Sequence, residues 1–347
     1  MEVSSPGRIC LFGEHQDYLG LPVIPMAISL RARISGVSGK DQKIIIQKPD
    51  INETESFHLD QLEYSRPRDY FKSGIRICQK EGLIFSKGFE CEITSEIPFQ
   101  AGTSSSSAIM VSWIYFLSQM SDNPADWNRQ KVGELAYKAE VEEFNEPGGM
   151  MDQYSSAMGH LIYLGSEPEI SIRSLKPELG TFVLGDSCEP KDTIGILKRC
   201  RDTRLNIILK LKSQDPDFDL HSSSIDPINT GLSKEEFTLM QGTIQNRDLL
   251  KQALSGLEKD QTDHKYIGWL LSEHHKILRD VLKVSTQKLE RMLDAAMEAG
   301  ALGGKINGSG GGGCMFAYAP HQPERVASAI KKTGGKAYII QPDDGVR

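Results

Sequence analysis

The sequence predicts an α+β protein of two domains that divide near residues 165–180, on three observations. GFECEITSEI alternates cleanly, with Phe89, Cys91, Ile93 and Ile97 on one face and Glu90, Glu92, Thr94 and Glu96 on the other, the pattern of a half-buried antiparallel strand. It runs into PFQAGTSSSSAIMVSWIYFLSQM, whose apolar part is too long for a strand and reads as a buried helix. The tail, GGKINGSGGGGCMFAYAP then RVASAIKKTGGKAYIIQP, reads strand, helix, strand. With 347 residues the chain can bury a core in each half.

Element by element, the chain opens on GRICLFGEHQD, an apolar strand (Ile9, Cys10, Leu11, Phe12) bracketed by Arg8 and by Glu14, His15 and Asp17. A strand that only packs a core has no need of so many ionisable groups at one end; the plainer alternative is an edge strand entering a solvated turn. DWNRQKVGELAYKAEVEEF places Val132, Leu135, Ala136, Ala139 and, at its end, Glu143 along one helical side. HLIYLG is a short strand closing the first half, and TFVLGDS opens the second as a strand ending in a loop. SQDPDFDLHSSSIDP is polar and turn-rich, an exposed connection. A helical pattern covers 266–282, and VSTQKLERMLDAAMEAG is a helix with Ser285 or Thr286 as its cap and Gly300 as its stop.

Net charge is −7 with no basic cluster, which argues against nucleic acid or an anionic membrane surface as partner but leaves room for a small anionic ligand. The six cysteines are scattered without a C-x-x-C pair, so neither a disulfide framework nor a zinc site is expected, and a reducing cytoplasm fits best. No signal peptide and no membrane-spanning run is visible.

Three loops could carry chemistry. AGTSSSSA (101–108) opens a buried helix, where free amides and the helix dipole favour an anion and serine hydroxyls can donate to phosphate or ligate Mg²⁺. It lacks the lysine of a Walker-type loop, and a simple Ser-rich cap is the alternative. NGSGGGGC (307–314) carries four consecutive glycines directly before an apolar strand. That suits a backbone lying against a ligand better than a flexible turn. AEVEEFNEPGGMMDQYSSAMG places Glu140 near a helix end and Asp152 beyond a Pro-Gly-Gly break, beside Met150 and Met151. A carboxylate there needs a partner, unless it merely caps the next helix.

Together, in this order, the loops resemble the GHMP kinase superfamily, closest to its galactokinase branch. The opening signature stands as Gly7-Arg8-Ile9-Cys10-Leu11-Phe12-Gly13-Glu14-His15-Gln16-Asp17-Tyr18-Leu19-Gly20, with Cys10 where the family has asparagine. The central motif is Pro98 to Ala108, with Thr103 at the leucine position and one additional serine. Pro147-Gly148-Gly149-Met150-Met151-Asp152-Gln153 and Gly308-Ser309-Gly310-Gly311-Gly312-Gly313-Cys314 match the later motifs. Asn145 and Glu146 depart from the small or apolar residues usual before that proline.

The resemblance implies a two-domain fold: an N-terminal ribosomal-protein-S5-domain-2-like domain (1–170), a ferredoxin-like C-terminal domain (171–347), and a site in the cleft between them. It implies ATP-dependent phosphorylation of a sugar, at the anomeric hydroxyl. Asp152 would be the base, or would orient that hydroxyl, and Arg8 would stand between Asp152 and the transferring phosphate. Ser106 and Glu140 would ligate Mg²⁺, while Gly102, Thr103, Ser104, Ser105, Ser106, Ser107 and Gly310 would hold ATP. Glu14, His15, Asp17 and Gly149 would meet the sugar. Another sugar (a heptose, a uronic acid, an N-acetylhexosamine, arabinose), mevalonate, or a non-catalytic sugar and ATP sensor stay open, as do monomer and homodimer.

Overall fold

The computed structural model describes residues 1–347 apart from 100, 191 and 227–229. Two sheets organise it. The first holds β1 (Glu2–Phe12), β2 (Ile24–Ser38), β3 (Lys43–Lys48), β4 (Glu53–His58), β5 (Phe89–Ser95), β6 (Leu161–Gly165) and β7 (Ser171–Leu175). Its order is β4-β3-β5-β2-β6-β7 with β1 on β2. Only β3 and β5 run parallel.

On β5 the expected alternation holds: Phe89, Cys91 and Ile93 are buried while Glu90 and Glu92 face water. Helices α1 (Tyr70–Lys80), α2 (Ser105–Met120), α3 (Arg129–Tyr137) and α4 (Met151–Met158) cover this sheet, with α2 at the centre touching β1, β2 and the other three helices. That position explains its sequence. A helix buried on nearly all sides cannot be amphipathic, and Met110, Trp113, Ile114, Phe116 and Leu117 are all within the core.

The second sheet is antiparallel throughout, in the order β11-β8-β10-β9, from β8 (Phe182–Asp186), β9 (Gly303–Ile306), β10 (Cys314–Tyr318) and β11 (Lys336–Ile340). Around it lie α5 (Thr193–Gln214), α6 (Lys234–Leu257), α7 (His264–Lys276), α8 (Gln287–Glu298) and α9 (Pro323–Lys332). The helical pattern expected over 266–282 is α7 followed by a π-helical turn at Ile277–Val281. Of the two candidate caps of α8 it is Thr286 that accepts from the Leu289 amide, whereas the Ser285 hydroxyl donates to Glu290.

One apolar cluster joins both sheets: Ile9, Leu11, Phe12 and Met26 of the first pack with Phe182, Leu184, Leu270 and Phe316 of the second half. The last residues then return to the first sheet, where Ser4 and Arg347 exchange backbone hydrogen bonds at 2.7 and 3.0 Å.

Candidate functional site

The loops singled out in the sequence converge at the carboxyl end of β1. Bulges between Pro6 and Arg8 and between Cys10 and Phe12 bend that strand, and the Arg8 amide leaves the ladder to donate to the Thr103 carbonyl at 3.1 Å. The buried Arg8 side chain then spans two loops. Its Nε and Nη2 donate to Asp152 Oδ1 at 2.8 and 2.7 Å, and Nη1 donates to the Gly102 carbonyl at 2.6 Å. Burial works against the Arg8 charge, but Asp152 and Glu14 outweigh it and its pKa is raised.

Asp152 lies in the first turn of α4 and makes no capping hydrogen bond, so the plainer role fails. Its side chain is 29% exposed against 4% for Arg8, a carboxylate held on one edge and open on the other.

The phosphate-type loop is left open to a ligand. Ser104 adopts a left-handed backbone (φ 61°) directly before α2, whose amino end has no capping side chain. The Ser104 hydroxyl is buried without a partner. A buried hydroxyl and a set of first-turn amides lacking acceptors fit an incoming anion. Thr103 points the other way: it is fully buried, with its hydroxyl toward the Pro98 carbonyl at 3.5 Å, and offers the site only its backbone.

Glu140 arrives by a change of phase. The even helical step expected over 132–143 is broken by a π-helical turn at Lys138–Glu142, which inserts one residue. Val132, Leu135, Ala136 and Ala139 face the core as expected, but Glu140 turns inward, while Glu143 is carried outward to Tyr64 and Lys80. Glu140 accepts from Gln153 Nε2 at 2.6 Å and from the Ser106 and Ser107 hydroxyls, which offset part of the upward push that burial gives its pKa. Among the described residues no cluster of three or more His, Cys, Asp or Glu side chains could hold a metal. One carboxylate with a serine hydroxyl suits Mg²⁺, which keeps its waters and takes most remaining ligands from phosphates.

The acidic group at the end of β1 divides into distinct parts. Glu14 Oε2 accepts from Lys305 Nζ at 2.8 Å and from the Gly308 amide at 3.0 Å, a buried pair closed by Lys305 donating also to the carbonyls of Cys10 and Ile306. His15 is sandwiched between Tyr18 and the Ser309 carbonyl. Burial and then Arg204 push its pKa down to about 3, so it is neutral. Asp17 lies against the backbone of Gly149, where a Cβ would stand 2.1 Å from Asp17 Oδ2, so a side chain there would have to displace that carboxylate. Burial and the neighbouring Asp152 raise Asp17 to about 6.

The glycine-rich loop closes over the phosphate-type loop. Asn307 Nδ2 donates to the Gly102 carbonyl at 2.8 Å and the Cys314 amide to Ala101 O at 2.7 Å. At Gly310 the backbone is left-handed (φ 72°) and a Cβ would fall 2.3 Å from Val284 O. Sequence reasoning missed Lys305 and Arg204, and gave no role of their own to Gln153 and Asn307, which stand inside the motifs it singled out. Lys305 and Asn307 stand two apart at the end of β9, so the strand period places them on one face, a signal readable beside the glycines.

Family models match three stretches of the chain: the galactokinase galactose-binding signature at 1–36, the GHMP kinase N-terminal domain at 69–160 and the GHMP kinase C-terminal domain at 250–336. Mevalonate kinase of Thermococcus sibiricus is 30% identical over 350 residues, covering 97% of this chain and 95% of its own. Galactokinase of Pyrococcus furiosus is 27% identical over 371 residues, covering 99% and 98%. In fold, the chain is similar to Lactococcus lactis galactokinase solved with galactose (TM-score 0.86, 22% identity, 100% and 94% covered). It is also similar to Methanococcus jannaschii mevalonate kinase (TM-score 0.77, 20% identity, 99% and 98% covered). With relatives of that identity along its whole length and both domain models in order, the chain belongs to the GHMP kinase family and is a small-molecule kinase of its two-domain fold.

Proposed function

We propose that this kinase phosphorylates a neutral sugar from ATP at the anomeric hydroxyl, giving sugar 1-phosphate and ADP. The observation that carries this is the match of residues 1–36 to a galactose-binding signature, in a segment whose Arg8 and Asp17 gather with Asp152 and Gly149. Charge supports it. Each buried cation nearby is committed: Arg8 to Asp152, Lys305 to Glu14, and Arg204 to Tyr18. A carboxylated acceptor would then meet Asp17 and Asp152 with no uncommitted buried cation to balance its own charge, whereas sugar hydroxyls can donate to both carboxylates.

In this reading Asp152 orients the acceptor hydroxyl and receives its proton, and Arg8 holds Asp152 in place. The Ser104–Ser107 backbone and the Ser104 hydroxyl receive the phosphates, with Gly310 giving them a side-chain-free wall. Ser106 and Glu140 would hold Mg²⁺, which supplies neutralisation of phosphate charge when bound. We place the domain division between β7 and β8, and keep the cytoplasm as the compartment on the strength of six scattered cysteines, all among the described residues, that form no disulfide with one another.

Mevalonate is the second reading, favoured by the 30% identical relative of that name. ADP release from Mg-ATP across galactose, its epimers, arabinose, uronates and mevalonate separates the two. A neutral sugar should respond, and Asp152→Asn should lower kcat by roughly 10²–10⁴ while ATP still binds. Turnover of mevalonate alone would overturn the sugar assignment, and near-normal kcat in Asp152→Asn would overturn the base.

A further inference from the structure

We propose that Arg204, far from the motifs in sequence, is a positioning residue of the acceptor site: through the Tyr18 hydroxyl it fixes the tautomer of His15, and through His15 the place of the glycine-rich loop. The inference rests on the reading of this end of β1 as the acceptor site.

The chain of contacts is complete. Arg204, on α5, is fully buried. Its Nε donates to the Cys200 carbonyl at 2.8 Å and its Nη2 to the Tyr18 hydroxyl at 2.5 Å, with the guanidinium 5.4 Å from the Tyr18 ring centroid. The Tyr18 hydroxyl lies 2.8 Å from His15 Nδ1, and His15 Nε2 lies 3.1 Å from the Ser309 carbonyl.

Direction follows from chemistry. A guanidinium only donates, so the Tyr18 oxygen accepts from Arg204 and its proton turns to His15 Nδ1. With that proton pointed at Nδ1, Nδ1 is bare and Nε2 carries the hydrogen. A carbonyl only accepts, so Ser309 demands the same arrangement from the far end. Both ends impose one polarity, and every group between them is satisfied in it.

A second observation shows what the chain holds. His15 has a left-handed backbone (φ 63°), which a non-glycine residue keeps only where its surroundings over-determine it. Its ring is the connection between that strained turn and Ser309, beside Gly308 and Gly310 of the loop that closes on Gly102. Acceptor side and nucleotide side therefore share one hydrogen-bond chain whose polarity is set from α5.

The test reads the tautomer directly, by ring ¹⁵N NMR of the full-length protein at neutral pH, with the His15 signals assigned by their loss in His15→Gln. The wild-type ring should show hydrogen on Nε2 and a hydrogen-bonded bare Nδ1. Arg204→Met should weaken that bias, which Ser309 then holds alone, and Arg204→Lys, which still donates, should keep it. Tyr18→Phe removes only the hydroxyl and serves if Arg204→Met does not fold; it should leave Nδ1 without a donor. With the sugar identified by the panel, KM should rise about tenfold in Arg204→Met, the worth of one hydrogen bond, with kcat changed less than about threefold. A wild-type ring protonated on Nδ1, or a tautomer unmoved in both Arg204→Met and Tyr18→Phe, would sink the proposal. A silent sugar panel with a tautomer that still follows Arg204 overturns the acceptor reading and supports the chain.

Discussion

At the scale of single residues, the site is a set of buried charges whose costs differ. Glu14 and Lys305 are both shut away from water, and neither could be tolerated alone. Lys305→Met should therefore cost about 3–5 kcal/mol, because it strands the Glu14 carboxylate. Adding Glu14→Gln should recover much of that loss in urea unfolding. If the double variant is as unstable as the single, the pair is not what Lys305 supports. Asp17 is the opposite case, a half-buried carboxyl raised from 3.8 to about 6. Its folded-state pKa exceeds its unfolded one, so it costs nothing below about pH 4 and destabilises as pH rises through 6, by at most about 3 kcal/mol. Asp17→Asn should thus raise Tm at pH 7.5 and leave it unchanged near pH 4, while weakening sugar binding. His15 acts in the other direction: depressed to about 3, it costs nothing above pH 6.5, and stability falls as pH drops from 6.5 toward 3.

At the scale of elements, what the sequence makes legible follows local rules and what it hides needs distant partners. The β5 alternation, the all-round apolar α2 and the glycine loop before β10 are local patterns, and each stands where expected. Glu140 was legible as a motif residue, but its inward aim depends on a π-helical turn that no periodic count of the segment gives; the same turn sends Glu143 outward. Nothing in their own segments of the sequence marks Lys305 and Arg204 as buried. Their burial makes sense only beside Glu14, 291 positions away, and Tyr18, 186 positions away. The short strand β7 escaped notice because Ser171–Leu175 is mostly exposed and carries little hydrophobic alternation. The junction of the two loops yields its own prediction. Gly310→Ala adds a Cβ 2.3 Å from the Val284 carbonyl in a left-handed residue, so backbone must move. It should weaken ATP binding at least tenfold, at roughly 1–3 kcal/mol of strain, with little change in sugar affinity. Calorimetric titration of each ligand checks this, and equal loss of both would point to general misfolding instead.

At the scale of the whole molecule, the chain is closed on itself by its last six residues. Arg31 of β2 is 3% exposed and uses every donor it has. Nε and Nη2 bind Ser4, while Nη1 and Nη2 reach Asp343 and the carbonyls of Asp344 and Gly345. Val346 is buried in the first sheet's core, in contact with residues of α2 and α3's cluster. The second half of the sequence thus stabilises the first sheet directly, and the apolar cluster from Ile9 to Phe316 ties the two again at the site. Two domains bound by a shared core and a strap should melt as one. Scanning calorimetry should show a single transition in the intact protein. Deleting 342–347 would leave Arg31 only its two bonds to Ser4, without its carboxylate partner Asp343, and should cost about 3–5 kcal/mol, the price of a broken buried ion pair. If the cooperative unit is the whole chain, that loss lowers the one transition as a whole. If the deletion instead splits off an early transition and leaves a later one in place, the halves are thermodynamically separate and the cluster around Phe12 is only a contact between them.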